Sequence, residues 1–190
     1  TATDVKNALA DCETNLNLTN KKVIQEFPVS YRLDGKDVQG RLEGMRGTKL
    51  EIKGLFITCS VQHLEDLLEA MDMAGIEPID IVAAPVAASL VALSERQKIV
   101  GSALVNIGAE TTAMAVFENG ILVSLLTSSI GSENITNDIA LGLKIPLDKA
   151  DELKLGGDPG NFSRKKLDEI IGARLSDIFE VIENHLKKIK

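Results

Sequence analysis

The sequence has no tryptophan, one tyrosine and five phenylalanines, so aromatics are 3% of its 190 residues. Phe27, Phe56, Phe117, Phe162 and Phe179 are scattered along it, which excludes an aromatic platform for stacking nucleic-acid bases. Cysteine is scarce too: Cys12 and Cys59 have neither metal-ligand nor redox spacing and read as buried thiols of a reducing compartment. Positive charge is in the minority, with 21 Lys and Arg against 28 Asp and Glu and a net −7. An acidic balance with no basic run argues against nucleic acid and against electrostatic docking to a membrane. No apolar run approaches the ~18 residues of a membrane span, and no signal-peptide pattern opens the sequence. The expectation is a cytosolic chain. A Walker A run, a Gly-x-Ser-x-Gly elbow and paired catalytic carboxylates are all missing. His63 and His185 have no acidic or cysteine partner at ligand spacing, so neither a metal site nor a triad is expected.

What is present is an ordinary globular composition, 44% hydrophobic and 26% charged. Its centre is Ala103 to Phe117. Ala103-Leu-Val reads as a buried strand stopped by Asn106 and Gly108, and Thr111 to Phe117 as a second strand. Asn119-Gly120 is a strong hairpin signal leading into a third strand, Ile121 to Ser128. The first turn of this meander, glycine-containing and followed by threonines, can present backbone N–H groups in a nest suited to phosphate.

Upstream, Thr3 is placed to cap a helix bearing Val5, Ala8, Leu9 and Cys12 on one face. Lys22 to Phe27 reads as a strand ended by Pro28, with Val29 to Leu33 continuing to the Asp34-Gly35 turn. Residues 38–47 read as a loop, and Lys49 to Ser60 as a central strand. Ser60 caps a helix with Leu64, Leu67, Leu68 and Met71 on one face and Gly75 as its stop. Together these make an α+β unit of roughly 75 residues, near the lower limit for independent stability. Ile79 to Val82 suggests a short strand, and Pro85 opens a small-residue helix through Ala87, Ala88, Leu90 and Leu93. After the meander, Ser132 caps a helix with Ile135, Ile139 and Leu143 on one stripe. Leu147 to Leu155 forms another, stopped by Gly156-Gly157. Ser163 caps the last, in which Leu167, Ile170, Ile171, Leu175, Ile178, Ile182 and Leu186 keep one helical face.

The run Asn106-Ile-Gly-Ala-Glu-Thr-Thr-Ala113 resembles the second phosphate loop of the actin and heat-shock-chaperone ATPase superfamily, usually Asp-Ile-Gly-Gly-Gly-Thr-Thr-Asp. The wording Ile135-Thr-Asn-Asp-Ile-Ala, Leu143-Lys-Ile-Pro and Ala150-Asp-Glu-Leu-Lys is similar to the FtsA family of bacterial cell-division proteins. The resemblance implies an α/β chain in three parts. Residues 1–77 would be an inserted α+β subdomain of the type called 1C, residues 78–97 a connecting strand and helix able to slide as a hinge, and residues 98–190 part of an actin-like, ribonuclease H-like second lobe. It also implies that the chain covers only the middle of its family's length, without the first phosphate loop, the adenosine loop or a terminal amphipathic membrane helix.

The same resemblance implies the site. Gly108, Ala109, Thr111 and Thr112 occupy phosphate-loop positions, with backbone N–H groups and threonine hydroxyls as donors. Asn106 stands where an aspartate orients the water shell of Mg²⁺, and Ala113 where a second aspartate lies. Glu110 replaces a glycine and brings a carboxylate towards phosphate. Asp151 and Lys154 match positions that approach ribose and adenine, although an acid and a lysine on a helix also suit a solvated face. ATP and Mg²⁺ are then expected of the full-length protein and not of this stretch, which holds half of the nucleotide site; no enzymatic activity is assigned. Arg164, Lys165, Lys166 and Arg174 form a basic cluster in an acidic chain, either a solvated face or a seat for the acidic tail peptide of the tubulin-like protein FtsZ. Self-association, other division proteins on the 1C-like subdomain and a location at the inner face of the division-site membrane follow from the family. Two alternatives remain open: a pilus-assembly relative of the PilM type that binds a short peptide, and an ATPase of the chaperone or sugar-kinase branch.

Overall fold

In the computed structural model, residues 2–38, 42 and 44–189 are described. Helix α1 (Ala2–Thr14) leads to strands β1 (Lys21–Leu33), β2 (Lys36–Val38) and β3 (Leu50–Ser60), then helices α2 (Val61–Met73), α3 (Ala84–Ala92) and α4 (Glu95–Val100). Strands β4 (Ser102–Ile107), β5 (Thr112–Glu118) and β6 (Ile121–Ser128) follow, then helices α5 (Ser132–Leu143), α6 (Leu147–Lys154) and α7 (Arg164–Lys188). The strands form two separate sheets, ordered β2-β1-β3 and β4-β5-β6. This is the expected mixed α/β class, with two separate three-stranded sheets among the helices.

Both two-residue turns are built as their sequences demand. Asp34 and Gly35 have φ of 50° and 79°, and Asn119 and Gly120 of 52° and 79°. Positive φ at both central positions is the type I′ geometry whose twist matches the strands it joins. Strand β1 pairs antiparallel with β3 from Lys21↔Ser60 to Leu33↔Leu50, with irregularities at Val23/Gln25 and Pro28/Ser30. Pro28 therefore does not end the strand. A bulge absorbs its missing N–H and the ladder resumes beyond it. Of the expected 38–47 loop, Val38 belongs to β2, and residues 39, 40, 41 and 43 lie outside the described residues.

The chain divides into two compact units, Thr1–Ser102 with Val116–Ser124, and Ala103–Ala115 with Leu125–Lys190. In the first, α1 packs on β3, with Leu9 buried and the Cys12 thiol donating to the Ile52 carbonyl at 3.9 Å. Helix α1 already includes Ala2, so Thr3 sits inside its first turn and not at the cap. Ser60 does occupy the α2 N-cap but makes no side-chain capping bond. The helix ends in a paired turn: Ile76 N–H donates to Met71 O and Gly75 N–H to Asp72 O, with Gly75 at φ 71°. On its inner face Leu64 is buried, while Leu67 is half exposed.

The strand expected at Ile79 to Val82 is not formed. Its amides go to side chains instead: Ile81 N–H to Asp80 Oδ1 and, just beyond, Ala83 N–H to Gln25 Oε1. With Ile79 fully exposed, β-propensity alone does not hold the segment in a strand. Helix α4 was not anticipated. Ser94 accepts from Gln97 N–H while Gln97 Oε1 accepts from Ser94 N–H, a reciprocal cap that the Ser-x-x-Gln spacing encodes.

In the second unit, Ile135, Ile139 and Leu143 of α5 pack with Ala150 and Leu153 of α6 and Leu167 of α7. This is the stripe the helical periodicity foretold. The α5 cap falls on Gly131, one residue earlier than Ser132, and Asn134 Oδ1 accepts from its N–H at 2.8 Å. Ser163 caps α7 as expected, accepting from Lys166 N–H. Strand β4 is not buried as its apolar run suggested: Val105 and Ile107 are 37% and 40% exposed. It lies at the sheet margin, and the fully buried positions, Thr112, Met114 and Ala115, are on central β5.

Candidate functional site

The loop between β4 and β5 is closed by its own backbone. Gly108 N–H donates to Thr111 O at 2.8 Å, which makes the tight turn. The carbonyls of Gly108 and Ala109 then receive the N–H groups of Ser132 and Glu133 at 2.9 and 2.8 Å. Two of the orphan donors at the α5 N-terminus are thereby satisfied by the loop itself. Gly131 permits the clasp, because a Cβ there would lie 2.3 Å from Ala109 O and 2.7 Å from Gly108 O.

This geometry corrects the expected donor set. The Thr112 hydroxyl, completely buried, donates to Ile130 O at 2.7 Å and is used in fastening β5 to the approach to α5. The Gly108 amide is likewise engaged in the turn. Asn106, Ala109, Glu110 and Thr111 are exposed. What faces solvent is a short loop carrying one carboxylate and no cation, with an amide side chain beside it. The positive potential of this surface comes from few peptide dipoles, and Glu110 adds a negative charge to the same loop. Among the described residues no group of three or more His, Cys, Asp or Glu could hold a metal ion.

Asp151 and Lys154 do come together. Lys154 Nζ lies 2.6 Å from Asp151 Oδ1 and 2.8 Å from the hydroxyl of Thr136, which in turn donates to Asp151 at 3.2 Å. The Lys154 hydrogen bond, with its Coulombic pull and the Thr136 bond, holds the Asp151 carboxyl below its usual range, while burial works in the opposite direction. Thr136 is buried and went unnoticed in the sequence, where only its place inside the Ile135-Thr-Asn-Asp run marked it. Glu133, which touches the loop, and Thr136, which holds Lys154, are three residues apart on α5, about 4.5 Å along its axis at 1.5 Å per residue. One helix thus organises both halves of the candidate site.

The basic cluster separates into two kinds of residue. Arg164 and Lys165 are exposed, with loose 3.9 Å pairings to Asp168 and Glu169, and Lys166 is exposed. Arg174 differs. Its guanidinium makes a two-pronged contact to Asp138 of α5, at 2.6 and 3.1 Å, and a third contact to Asp177 at 3.1 Å. It is a cross-brace between α5 and α7 and not part of an open basic face. Neither Asp138 nor Asp177 was singled out in the sequence, because a brace across 36 positions has no local spacing.

Comparison with known proteins places this geometry. Solved structures of the actin-like fold match the chain. The PilM-PilN type IV pilus biogenesis complex has a TM-score of 0.71 at 15% identity, covering 98% of this chain and 51% of that one. MreB 5 of Spiroplasma citri, solved with AMPPNP, has a TM-score of 0.56 at 16% identity, covering 68% of this chain and 48% of that one. The class is therefore that of the actin-like fold. The model of the cell division protein FtsA family matches residues 103–189. The FtsA of Bacillus subtilis (strain 168) is 33% identical over 189 residues, covering 88% of this chain and 43% of that protein. The FtsA of Pseudomonas aeruginosa is 26% identical over 97% of this chain and 50% of its own length. The chain belongs to the FtsA family, and it spans about half the length of the curated relatives it matches.

Proposed function

We propose that this chain is the middle of a cell-division scaffold that links FtsZ filaments to the membrane and associates with itself in an actin-like manner. The 33% identity to a cell division protein over 88% of the chain carries the reading. In it, residues 1–77 are a 1C-like subdomain that meets the next molecule or other division proteins, residues 78–97 connect, and residues 98–190 belong to the second lobe. Work is done at the inner face of the membrane at the division site, through a membrane-binding segment elsewhere in the protein. Arg164, Lys165 and Lys166 are the residues assigned to the acidic FtsZ tail, and Arg174 supports them by holding α7 to α5.

The test is binding of the chain to an immobilised FtsZ C-terminal peptide. Lys165→Glu with Lys166→Glu should weaken capture and flatten its salt dependence. Capture that is absent in the unaltered chain, or indifferent to both substitutions, would remove the FtsZ assignment.

In the same reading ATP is held weakly. A Glu110 carboxylate ~4 Å from a phosphate charge costs roughly 1–4 kcal/mol between surface and intermediate dielectric, or about one to three decades of affinity. Low-micromolar Mg·ATP binding with turnover by the full-length protein would contradict this. A second reading, a PilM-type module that binds a short peptide from a membrane partner, is favoured by one observation: the Gly108 amide and Thr112 hydroxyl are spent on carbonyls of the chain itself, as suits a fold that has stopped using nucleotide. Failure to capture the FtsZ tail while capturing another short peptide would select it.

A further inference from the structure

Among the described residues, Lys98 is the one charged side chain in the buried set, at 7% exposure. An ammonium so withdrawn from water ordinarily demands a partner equally withdrawn. Here its ion-pair partner is Glu95, three residues back on the same short helix, at 3.1 Å with a side chain 80% exposed. That carboxylate keeps its own hydration and gives up little by leaving. On another side, Nζ lies 5.6 Å from the centroid of Phe117, a weak cation–π contact.

Lys98 lines a cavity of about 300 Å³ whose walls include Phe27 and Pro28 of β1, Val86 and Leu90 of α3, and Leu122 of β6. All these residues belong to the first compact unit. The one hydroxyl in the wall, Ser89, is turned away, donating to Val86 O at 2.7 Å. The cavity therefore offers apolar walls, one embedded cation and a displaceable carboxylate. Apolar enclosure with a single convergent polar group is how small-molecule pockets fix orientation, and this volume is at the small end of their range.

We propose that this cavity binds a small amphipathic carboxylate, with its aliphatic or aryl body against Phe27, Val86 and Leu122 and its carboxylate replacing Glu95 on Lys98. A ligand whose apolar body occupies the cavity holds its carboxylate beside the buried ammonium, where solvent screening is weaker than at exposed Glu95, so it pairs more strongly than Glu95 does. The site lies in a different compact unit from the phosphate loop and does not depend on nucleotide.

The test is an NMR titration of the chain with decanoate below its micelle concentration, with decanol as the uncharged twin. Decanoate should shift the methyls of Val86 and Leu122 and the Lys98 side chain, and decanol should bind at least about tenfold more weakly. Glu95 lines the cavity rim, and Glu95→Gln removes the internal competitor at nearly constant shape and leaves the apolar walls as they are, so it should tighten decanoate binding by about threefold or more. Lys98→Met should abolish the preference for decanoate over decanol. Absence of shifts at those methyls, equal binding of the two probes, or an unchanged or weakened affinity in Glu95→Gln would each overturn the proposal. The Glu95→Gln and decanol comparisons decide it even where Lys98→Met does not fold.

Discussion

Removing the Arg174 guanidinium is the most direct challenge to the account of the second unit. Its two contacts with Asp138, at 2.6 and 3.1 Å, join α7 to α5 through residues 36 positions apart in sequence. Both side chains are withdrawn from solvent, at 26% and 29% exposure, so screening reduces their attraction less than at an open surface. Asp138 holds the guanidinium even more firmly protonated than usual, by hydrogen bond and then by charge. Hydrogen bonds to charged groups contribute about 1.5–3 kcal/mol net, and two-pronged geometry belongs in the upper part of that range before the residual exposure is discounted. Arg174→Ala should therefore destabilise by about 2 kcal/mol, since Asp138 is left half-buried without its partner. At ~2–4 °C per kcal/mol for a chain of this size, the melting temperature should fall by roughly 4–8 °C. The assay is urea denaturation followed by far-UV circular dichroism on Arg174→Ala, Asp138→Ala and the double variant. The cycle should return a coupling of about 1 kcal/mol or more. Asp177→Ala is the internal control: 57% exposed and only one turn away, it should cost about 0.5 kcal/mol or less. A coupling near zero, or an Asp177 effect as large as that of Asp138, would refute the cross-brace.

Gly131→Ala should cost about 1–3 kcal/mol and lower amide-exchange protection at Ser132 and Glu133, because the added Cβ meets Ala109 O at 2.3 Å and must push the loop off α5; unaltered protection at both amides would refute the clasp. Thr136→Val removes the hydroxyl between Lys154 and Asp151 at nearly constant shape and should destabilise by about 1 kcal/mol in a denaturant titration, with Lys154 gaining mobility. Asp34 gives a pH dependence with a definite sign. Its carboxyl is held below the usual range by the Lys49 N–H first and then by the Thr48 hydroxyl and N–H. A lowered folded value means that the unfolded chain binds the proton more readily, so the contribution is present above the ordinary aspartate pKa of ~3.9 and is lost as pH falls through the folded value. Thr48 and Lys49 amides should lose exchange protection over that acidic window, and Asp34→Asn should remove the dependence.

Much of this protein could be read locally. The Asp-Gly and Asn-Gly turns dictate positive φ at two successive positions, and both hairpins obey. The apolar spacing of α5, α6 and α7 named the residues that pack together, since a 3.6-residue repeat leaves one face to bury. The Ser163 cap was legible for the same reason: its partner is three residues away. The phosphate-loop resemblance at 106–113 and the helix wording after it identified the family from short contiguous runs.

The remaining decisions belonged to the tertiary structure, because they depend on atoms brought together from distant positions. The phosphate-loop resemblance implied Thr112 as a donor for a ligand; only the approach of Ile130 shows the hydroxyl already used. A cluster of four basic residues looked uniform until Asp138 arrived beside one of them and turned Arg174 into a strut. Ile79 to Val82 has the composition of a strand, yet a strand exists only where a neighbour accepts its hydrogen bonds, and here Gln25 and Asp80 side chains take that place. Nothing in the sequence around Lys98 marks it; its burial between Phe117 and an apolar cavity is fixed by elements up to 71 positions away. Periodicity and turn chemistry determine which elements form, whereas hydrogen-bond competition and desolvation, decided across the fold, determine which side chains remain open to a partner.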